Sequence, residues 1–94
     1  EAKSGLALGR DPFVITMTRI VIGRGPQSDL RVSDKRMSRS HAIVYYTGEE
    51  FRIRDDESGN GTLLNGSRVV EYALRDGDEI VVGESTFVFR LKQG

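Results

Sequence analysis

The chain has 94 residues and carries 14 Lys plus Arg against 14 Asp plus Glu, so its formal net charge is zero. This length fits one domain with one modest core, and the absence of a basic excess argues against nucleic acid as a partner, because nucleic-acid binders draw much of their affinity from phosphate neutralisation. There is no cysteine and a single histidine, His41, which excludes disulfides and a thiol nucleophile, so we expect neither a metal nor a cofactor.

The sequence shows no sign of membrane insertion or secretion. No apolar run is long enough to span a bilayer, and the first residues lack the apolar core of a signal peptide. We therefore expect no membrane partner. These features favour an intracellular, cytoplasmic location, with the nucleus left open as an alternative.

Short runs of β-branched and aromatic residues alternate with clusters of Gly, Pro, Asn and Asp along the chain. Such runs are typical of strands, and such clusters are typical of turns. The predicted strands are residues 5–8, 13–17, 19–22, 29–32, 42–46, 51–54, 62–64, 67–70, 79–82 and 85–91. Residues 1–5 are expected to be a flexible tail and residues 6–92 a single domain. Turn signals recur about every ten residues without a helical period, which predicts an all-β antiparallel sandwich or barrel.

Local patterns also predict one hairpin and the aromatic part of the core. Asn65-Gly66 lies between two of the predicted strands. Both residues tolerate the positive φ that a two-residue hairpin requires, so these strands are predicted to pair. The aromatic side chains follow the strand period of two and are predicted to be buried. They are Phe13, Phe51, Phe87 and Phe89.

The polar stretch 34–41 is a candidate binding loop, because it directly precedes a strongly apolar run. Loops held at strand ends by a rigid scaffold often carry binding residues. Its hydroxyl and guanidinium groups suit an oxyanion. These groups belong to Ser38, Ser40, Arg36 and Arg39. Between positions 19 and 39 bases outnumber acids six to two, which favours a small anionic ligand over a polyanion; the alternative is a solvated turn with ordinary surface charge.

Three loops together carry a pattern that is far more specific than any one of them. The pattern is Gly23-Arg24, then Ser38-Arg39-Ser40-His41, then Asn60-Gly61-Thr62-Leu63-Leu64-Asn65-Gly66. In this order, on an all-strand chain, it resembles the forkhead-associated (FHA) domain from about Phe13 to Leu91. The resemblance implies an antiparallel β-sandwich of the FHA/SMAD-like type with its binding loops at one end. It also implies recognition of phosphothreonine in a partner protein or peptide, and we expect the isolated domain to be a monomer.

The resemblance assigns roles that agree with the chemistry of the residues. Arg24, Ser38 and Arg39 are expected to bind the phosphate, since a planar guanidinium can hold two oxygens and Ser38 can donate its hydroxyl and its amide. Asn60 is expected to hold the peptide main chain, because its amide both donates and accepts. Arg36 lies where the family often reads the third residue after the phosphothreonine, so we expect a preference for Asp or Glu there.

The other residues of the pattern are expected to shape the loops rather than to contact the ligand. They are Gly23, His41, Gly61, Thr62, Asn65 and Gly66. One position departs from the family. Gly59 stands where many members have a Thr or Ser whose hydroxyl reaches the phosphate site. Replacing Gly59 by Thr would restore a donor, or would strain the loop if this glycine has a positive φ.

Three hypotheses compete for the function. The first is a phosphothreonine-binding module for phosphorylation-dependent signalling or assembly. The second is an interaction domain of the same fold that binds its partner without phosphate. The third is a serine hydrolase built on Ser38 and His41, but the sequence shows neither an acid partner nor a nucleophile elbow for it. We adopt the first hypothesis and expect no catalytic residue.

Overall fold

The structure, a computed structural model, describes residues 2–8, 11–15 and 18–93, which form strands joined by loops and turns. The strands are β1 (Ala2–Leu8), β2 (Asp11–Ile15), β3 (Arg19–Gly23), β4 (Leu30–Arg31), β5 (Ala42–Tyr46), β6 (Phe51–Asp55), β7 (Thr62–Leu64), β8 (Ser67–Val69), β9 (Glu71–Ala73), β10 (Glu79–Val82) and β11 (Ser85–Gln93). Within this part of the chain, no helix has the length and apolarity that a membrane span requires.

The strands form two sheets that face each other. One sheet has the order β2-β1-β11-β10-β7-β8, and the other has the order β4-β3-β5-β6-β9. This arrangement confirms the predicted antiparallel β-sandwich. One pair differs, because the two residues of β4 lie parallel to the end of β3, where Leu30 pairs with Ile22. The predicted hairpin is also confirmed, since β7 and β8 pair antiparallel on either side of Asn65-Gly66.

The core lies between the two sheets and is made of alternate side chains from both. Phe87 and Phe89 of β11 are fully buried, and so are Val44 of β5 and Ile53 of β6. Phe51 packs at the edge of this cluster with its ring 5.5 Å from that of Phe89. The predicted aromatic core is therefore confirmed for these three residues. The side chain of Phe13 lies outside the described residues.

The N-terminal part of the sheet differs from the sequence prediction. β1 begins at Ala2, so residues 2–5 lie in a strand rather than in the expected flexible tail, because they pair with the last residues of β11. Gly9 and Arg10, which lie between the first two predicted strands, and residues 16 and 17 of the predicted second strand lie outside the described residues. Pro12 already belongs to β2, which is compatible with proline because β2 is an edge strand.

The strand directions bring several of the described connections to one end of the sandwich. We call this the loop end and define it as residues 24–29, 32–41, 56–61 and the turn Gly83-Glu84. These connections contact one another through hydrogen bonds. The opposite end holds the turns at residues 47–50, 65–66 and 74–78, where the N–H of Leu74 donates to the carbonyl of Phe51.

Candidate ligand-binding site

Arg24 is placed by the last residue of β3 and by the 32–41 loop. A Cβ on Gly23 would collide with the carbonyl oxygen of Arg39, so only glycine allows the two loops to approach this closely. The backbone N–H of Arg24 donates to the carbonyl of Ser38 at 3.0 Å, and its Nε donates to the carbonyl of Met37 at 3.0 Å. The terminal guanidinium nitrogens make no hydrogen bond to any described residue, so they are free to hold an anion.

Arg39 joins the two loops through its backbone. Its carbonyl oxygen accepts from the N–H of Gly25 at 3.0 Å and from Oγ of Ser28 at 2.8 Å. Its exposed side chain lines an open pocket of about 310 Å³ together with Pro26 and Ser40, among others. The structure therefore fixes the main chain of Arg39 beside Arg24 and turns a cationic side chain toward this pocket.

Ser38 and His41 form a short internal contact that sets the shape of the loop. The N–H of Ser38 donates to Nδ1 of the fully buried His41 at 3.0 Å. A backbone N–H can only donate, so Nδ1 must be the unprotonated nitrogen of the ring. Nε2 then carries the proton and donates to the carbonyl of Gly61 at 2.7 Å. His41 thus ties the 32–41 loop to the 56–61 loop.

This contact corrects one expectation and argues against the competing hypothesis of a serine hydrolase. The Ser38 amide, expected to reach a phosphate, is already engaged by His41, so only the hydroxyl remains for a ligand. The Ser38 Oγ accepts from the N–H of Gly59 at 3.3 Å and keeps its own proton for donation. Both ring nitrogens of His41 contact the backbone, so His41 is not arranged as a general base for Ser38.

Asn60 and Arg36 lie side by side in the site. Nδ2 of Asn60 donates to the carbonyl oxygen of Arg36 at 2.7 Å. The amide oxygen and the second N–H of Asn60 make no hydrogen bond within the described residues, which suits a side chain that pairs with an extended ligand backbone. The guanidinium of Arg36 forms an ion pair with Glu84 across 3.2 Å. The sequence prediction missed this partner.

Asp55 organises the 56–61 loop. Its carboxylate accepts from the N–H of Ser58 at 3.1 Å, from Oγ of Ser58 at 2.5 Å and from Oγ1 of Thr62 at 2.7 Å. Burial raises the pKa of Asp55, but the hydrogen bonds from Ser58 and Thr62 outweigh burial and bring the pKa below its ordinary value. Gly61 has φ +85°, and a Cβ there would lie 2.6 Å from Nε of Arg68. The N–H of Gly61 donates to Oγ of Ser58 at 2.8 Å, so Gly61 and Thr62, both predicted to shape the loops, belong to the hydrogen-bonded network around Asp55.

Asp34 organises the loops on the other side of the site, as Asp55 organises the 56–61 loop. Its carboxylate accepts from the N–H of Arg36 at 2.9 Å, from the N–H of Glu84 at 2.8 Å and from Oγ of Ser85 at 2.7 Å. The hydrogen bond from Ser85 is the main reason that the pKa of Asp34 lies below its ordinary value, and burial opposes it. Sequence reasoning missed both aspartates. The spacing of Asp55 and Ser58, typical of a local side-chain turn, could have indicated one of them.

Asn65 and Gly66 do not belong to the site. Both have positive φ, 51° and 88°, as the hairpin turn requires. The side chain of Asn65 donates to Asp78 at 2.9 Å and accepts from the N–H of Glu79 at 2.9 Å. The structure therefore places these two residues at the opposite end, where they hold two turns together.

Gly59 is open to substitution. It is not among the glycines with positive φ, and a Cβ added to it would meet nothing within 4 Å. The strain considered for Gly59→Thr is therefore absent from the backbone.

The assembled site suits an anion attached to an extended chain. Arg24 offers two free guanidinium nitrogens and Ser38 a free hydroxyl, while Asn60 offers one donor and one acceptor nearby. Among the described residues, no group of three or more His, Cys, Asp or Glu side chains is placed to hold a metal.

Comparison with known proteins identifies similar sequences and folds. The FHA domain family matches residues 20–83. FHA domain-containing protein FhaA of Mycobacterium tuberculosis is 37% identical over 71 residues, which cover 76% of this chain and 14% of that protein. Glycogen accumulation regulator GarA of Mycolicibacterium smegmatis is 36% identical over 77 residues, which cover 82% of this chain and 49% of that protein. The chain thus spans about half of GarA and less of FhaA. A solved FHA domain studied for phosphothreonine-dependent interactions has a TM-score of 0.88 and 32% identity, covering 94% of this chain and 95% of that one.

Proposed function

Since this chain belongs to the FHA domain family, we propose that it recognises phosphothreonine in partner proteins, for phosphorylation-dependent signalling or assembly. A phosphothreonine carries nearly two negative charges and three acceptor oxygens. The proposal is supported by the phosphothreonine-dependent interactions of the structurally similar FHA domain. It concerns this domain alone, because the chain spans only part of the length of these relatives.

One observation supports the proposal above the others. The Nε of Arg24 is held by the carbonyl of Met37, one residue before Ser38, while the two terminal nitrogens stay free. An arginine held in this way loses little side-chain entropy when it binds an anion through its planar fork. The Ser38 hydroxyl is the second donor, and the exposed Arg39 adds charge.

The peptide main chain is assigned to Asn60. The residue is anchored through Nδ2 to the carbonyl of Arg36 and retains a donor and an acceptor on its outer side. A ligand residue bound to both Arg24 and Asn60 needs a phosphate close to its own backbone. This geometry suits phosphothreonine and not phosphotyrosine, whose phosphate lies farther from the main chain. We assign no catalytic role to Ser38 or His41, because their contacts serve the loops.

The test measures binding of one phosphothreonine peptide and its unphosphorylated twin by calorimetric titration. The variants are Arg24→Ala and, as a matched control, Arg75→Ala at the opposite end, an exposed arginine without an ion pair among the described residues. Removing one partner of a desolvated charge pair costs roughly 2–5 kcal/mol, so Arg24→Ala should weaken binding about 30-fold or more. Arg75→Ala should leave the affinity unchanged.

The outcomes separate the competing functions. A loss under about threefold for Arg24→Ala, in a variant that keeps its melting temperature, would contradict the role of Arg24. Equal affinity of the wild type for the two peptides would instead support an interaction domain that needs no phosphate. Two features of the site favour this second function: the missing hydroxyl at Gly59 and the engagement of the Ser38 amide by His41.

A further inference from the structure

Arg36 and Glu84 come from two different loops and form an ion pair at the loop end. Nε of Arg36 lies 3.2 Å from Oε2 of Glu84, and the two side chains are 67% and 71% exposed. Arg36 precedes Ser38 by two positions, and its carbonyl accepts from Asn60. The main chain of Arg36 therefore lies beside the residue to which we assign the ligand main chain.

The main chain of both partners is held by one buried carboxylate. Asp34 accepts from the N–H of Arg36 through Oδ1 and from the N–H of Glu84 through Oδ2, so the two residues are fixed on either side of it. Ser85 and Gly83 complete this arrangement. Oγ of Ser85 donates to Oδ2 of Asp34, and a Cβ on Gly83, whose φ is +64°, would lie 2.8 Å from the same oxygen.

The ion pair is consequently built on a rigid base although its charged ends are exposed. Asp34 is only 7% exposed, and its carbonyl also accepts from the N–H of Met37 at 3.0 Å. A free exposed arginine would sample many positions. Here the backbones of Arg36 and Glu84 are both fixed, so their side chains meet without ordering either loop.

We propose that Glu84 is a specificity-determining residue that acts through Arg36. Its carboxylate binds Arg36 where an acidic side chain of the ligand would otherwise bind. This inference rests on the proposed function. Glu84 engages Nε of Arg36 and offsets the charge of its guanidinium, so an Asp or Glu of a phosphothreonine peptide meets a cation that is already paired, and little selectivity results. Glu84 thus suppresses the acidic preference that Arg36 alone would create.

The size of the effect follows from the exposure of the pair. Exposed ion pairs contribute about 0.2–1 kcal/mol, which corresponds to roughly 1.4- to fivefold in affinity. In the wild type, a peptide with Asp at the third residue after the phosphothreonine should therefore bind less than about twofold better than its Asn twin. When Glu84 is neutralised, the ratio should rise to about two- to fivefold.

The experiment titrates three peptides by calorimetry: the phosphothreonine peptide with Asp at that position, the same peptide with Asn, and the unphosphorylated Asp peptide. The proteins are wild type, Glu84→Gln, Arg36→Gln, the double variant, and Glu79→Gln as a control. Glu79 is an exposed glutamate at the other end of β10, so its removal changes the net charge equally. The ratio of the affinities for the Asp and Asn phosphopeptides, called the Asp-to-Asn ratio below, should rise in Glu84→Gln. In Arg36→Gln and in the double variant the two affinities should be equal.

Each outcome decides between distinct conclusions. If Glu84→Gln leaves the Asp-to-Asn ratio at its wild-type value, or if Glu79→Gln raises it equally, Glu84 is not the internal competitor. If the double variant keeps the raised ratio, the effect does not pass through Arg36, and the inference is equally overturned. If no protein distinguishes the phosphorylated from the unphosphorylated peptide, the proposed function itself is wrong. A ratio that rises in Glu84→Gln and falls again at high salt supports the inference.

Discussion

The two ends of the sandwich are built in different ways. At the loop end, the buried polar side chains of the described residues are gathered in or next to the loops: Asp34, His41 and Thr62. Each of them is hydrogen-bonded, and no buried side-chain nitrogen or oxygen among the described residues lacks a partner. The contacts run from one loop to another, as from His41 to Gly61. The geometry of this end therefore depends on buried polar side chains that are hydrogen-bonded to neighbouring loops.

At the opposite end, aromatic and aliphatic side chains pack together. The rings of Tyr46 and Phe51 lie 4.8 Å apart, and the ring of Phe51 lies 5.5 Å from that of the buried Phe89. Tyr46 and Leu91 are 42% and 37% exposed and line a cavity of about 400 Å³. The turns described at this end contain no buried carboxylate, whereas glycines with positive φ occur at both ends.

The difference separates the determinants of stability from those of binding. Apolar burial is non-directional and roughly proportional to area, so the opposite end should contribute to folding without shaping the ligand site. Hydrogen bonds to buried carboxylates are directional, and the loop end should contribute both to stability and to the position of Arg24, Ser38 and Asn60. Substitutions at the two ends should therefore separate these two effects.

The largest expected effect is on stability at the opposite end. Phe89→Ala should lower the free energy of unfolding by about 3–5 kcal/mol, because it removes a fully buried ring. Chemical denaturation measures this loss, and titration with a phosphothreonine peptide should show an unchanged affinity for the folded fraction. Val70→Ala, at a highly exposed position, is the control and should stay within about 0.5 kcal/mol.

If Phe89→Ala is too unstable to titrate, Phe89→Leu provides a folded variant. A change of affinity in either variant would show that the two ends are coupled and would contradict the separation of stability from binding.

A smaller effect is expected from the buried carboxylate of the loop end. Asp34→Asn should lower the free energy of unfolding by about 1–3 kcal/mol, because it replaces an acceptor of three hydrogen bonds by an amide. The folded-state pKa of Asp34 is lowered, so the folded chain binds its proton less readily than the unfolded chain. The stabilisation by this group is therefore present above the unfolded pKa and is lost as pH falls through the folded pKa.

Denaturation curves between about pH 7 and pH 2.5 should show the difference between wild type and Asp34→Asn shrinking as the pH falls. Glu49→Gln removes an exposed carboxylate at the opposite end and serves as the control. A difference that stays constant with pH would mean that the charge of Asp34 does not stabilise the loop end. The affinity for a phosphothreonine peptide should also decrease in Asp34→Asn, unlike in Phe89→Ala.

The smallest expected effect is a gain of affinity at Gly59. Its backbone does not have a positive φ and the space around it is open, so Gly59→Thr should be tolerated. A hydrogen bond to a charged group is worth at most about 1.5–3 kcal/mol, and ordering an exposed loop offsets part of it. We expect phosphopeptide binding to strengthen about three- to tenfold, with Gly59→Val as the control that adds β-branching without a hydroxyl.

Calorimetric titration and melting temperatures of both variants check this expectation. Equal gains for Thr and Val would assign the effect to a stiffer loop. Weaker binding of Gly59→Thr with a lower melting temperature would mean that the glycine is needed for the backbone.

Much of the fold was predictable because strand signals are local. Runs such as residues 42–46, 51–54 and 79–82 alternate or concentrate apolar residues, and Asn65-Gly66 marks its own hairpin. The candidate site was also predictable, because the pattern around Arg24, Ser38 and Asn60 can be recognised in the sequence alone. The structure brings these three residues to one end, and their roles in binding stay proposals.

Periodicity and turn chemistry act over a few positions, so the sandwich class and the set of candidate residues could be predicted from the sequence alone. Which partners satisfy the polar groups depends on how distant parts of the chain pack together. β9 was missed because it is an edge strand formed by pairing with β6 rather than by its own composition. Asp34 meets Glu84 and Ser85 across 50 and 51 positions of the chain. Contacts of that span depend on how the sheets pack, which is why the ion-pair partner of Arg36 and the buried carboxylate that holds its main chain could not be inferred from local pattern.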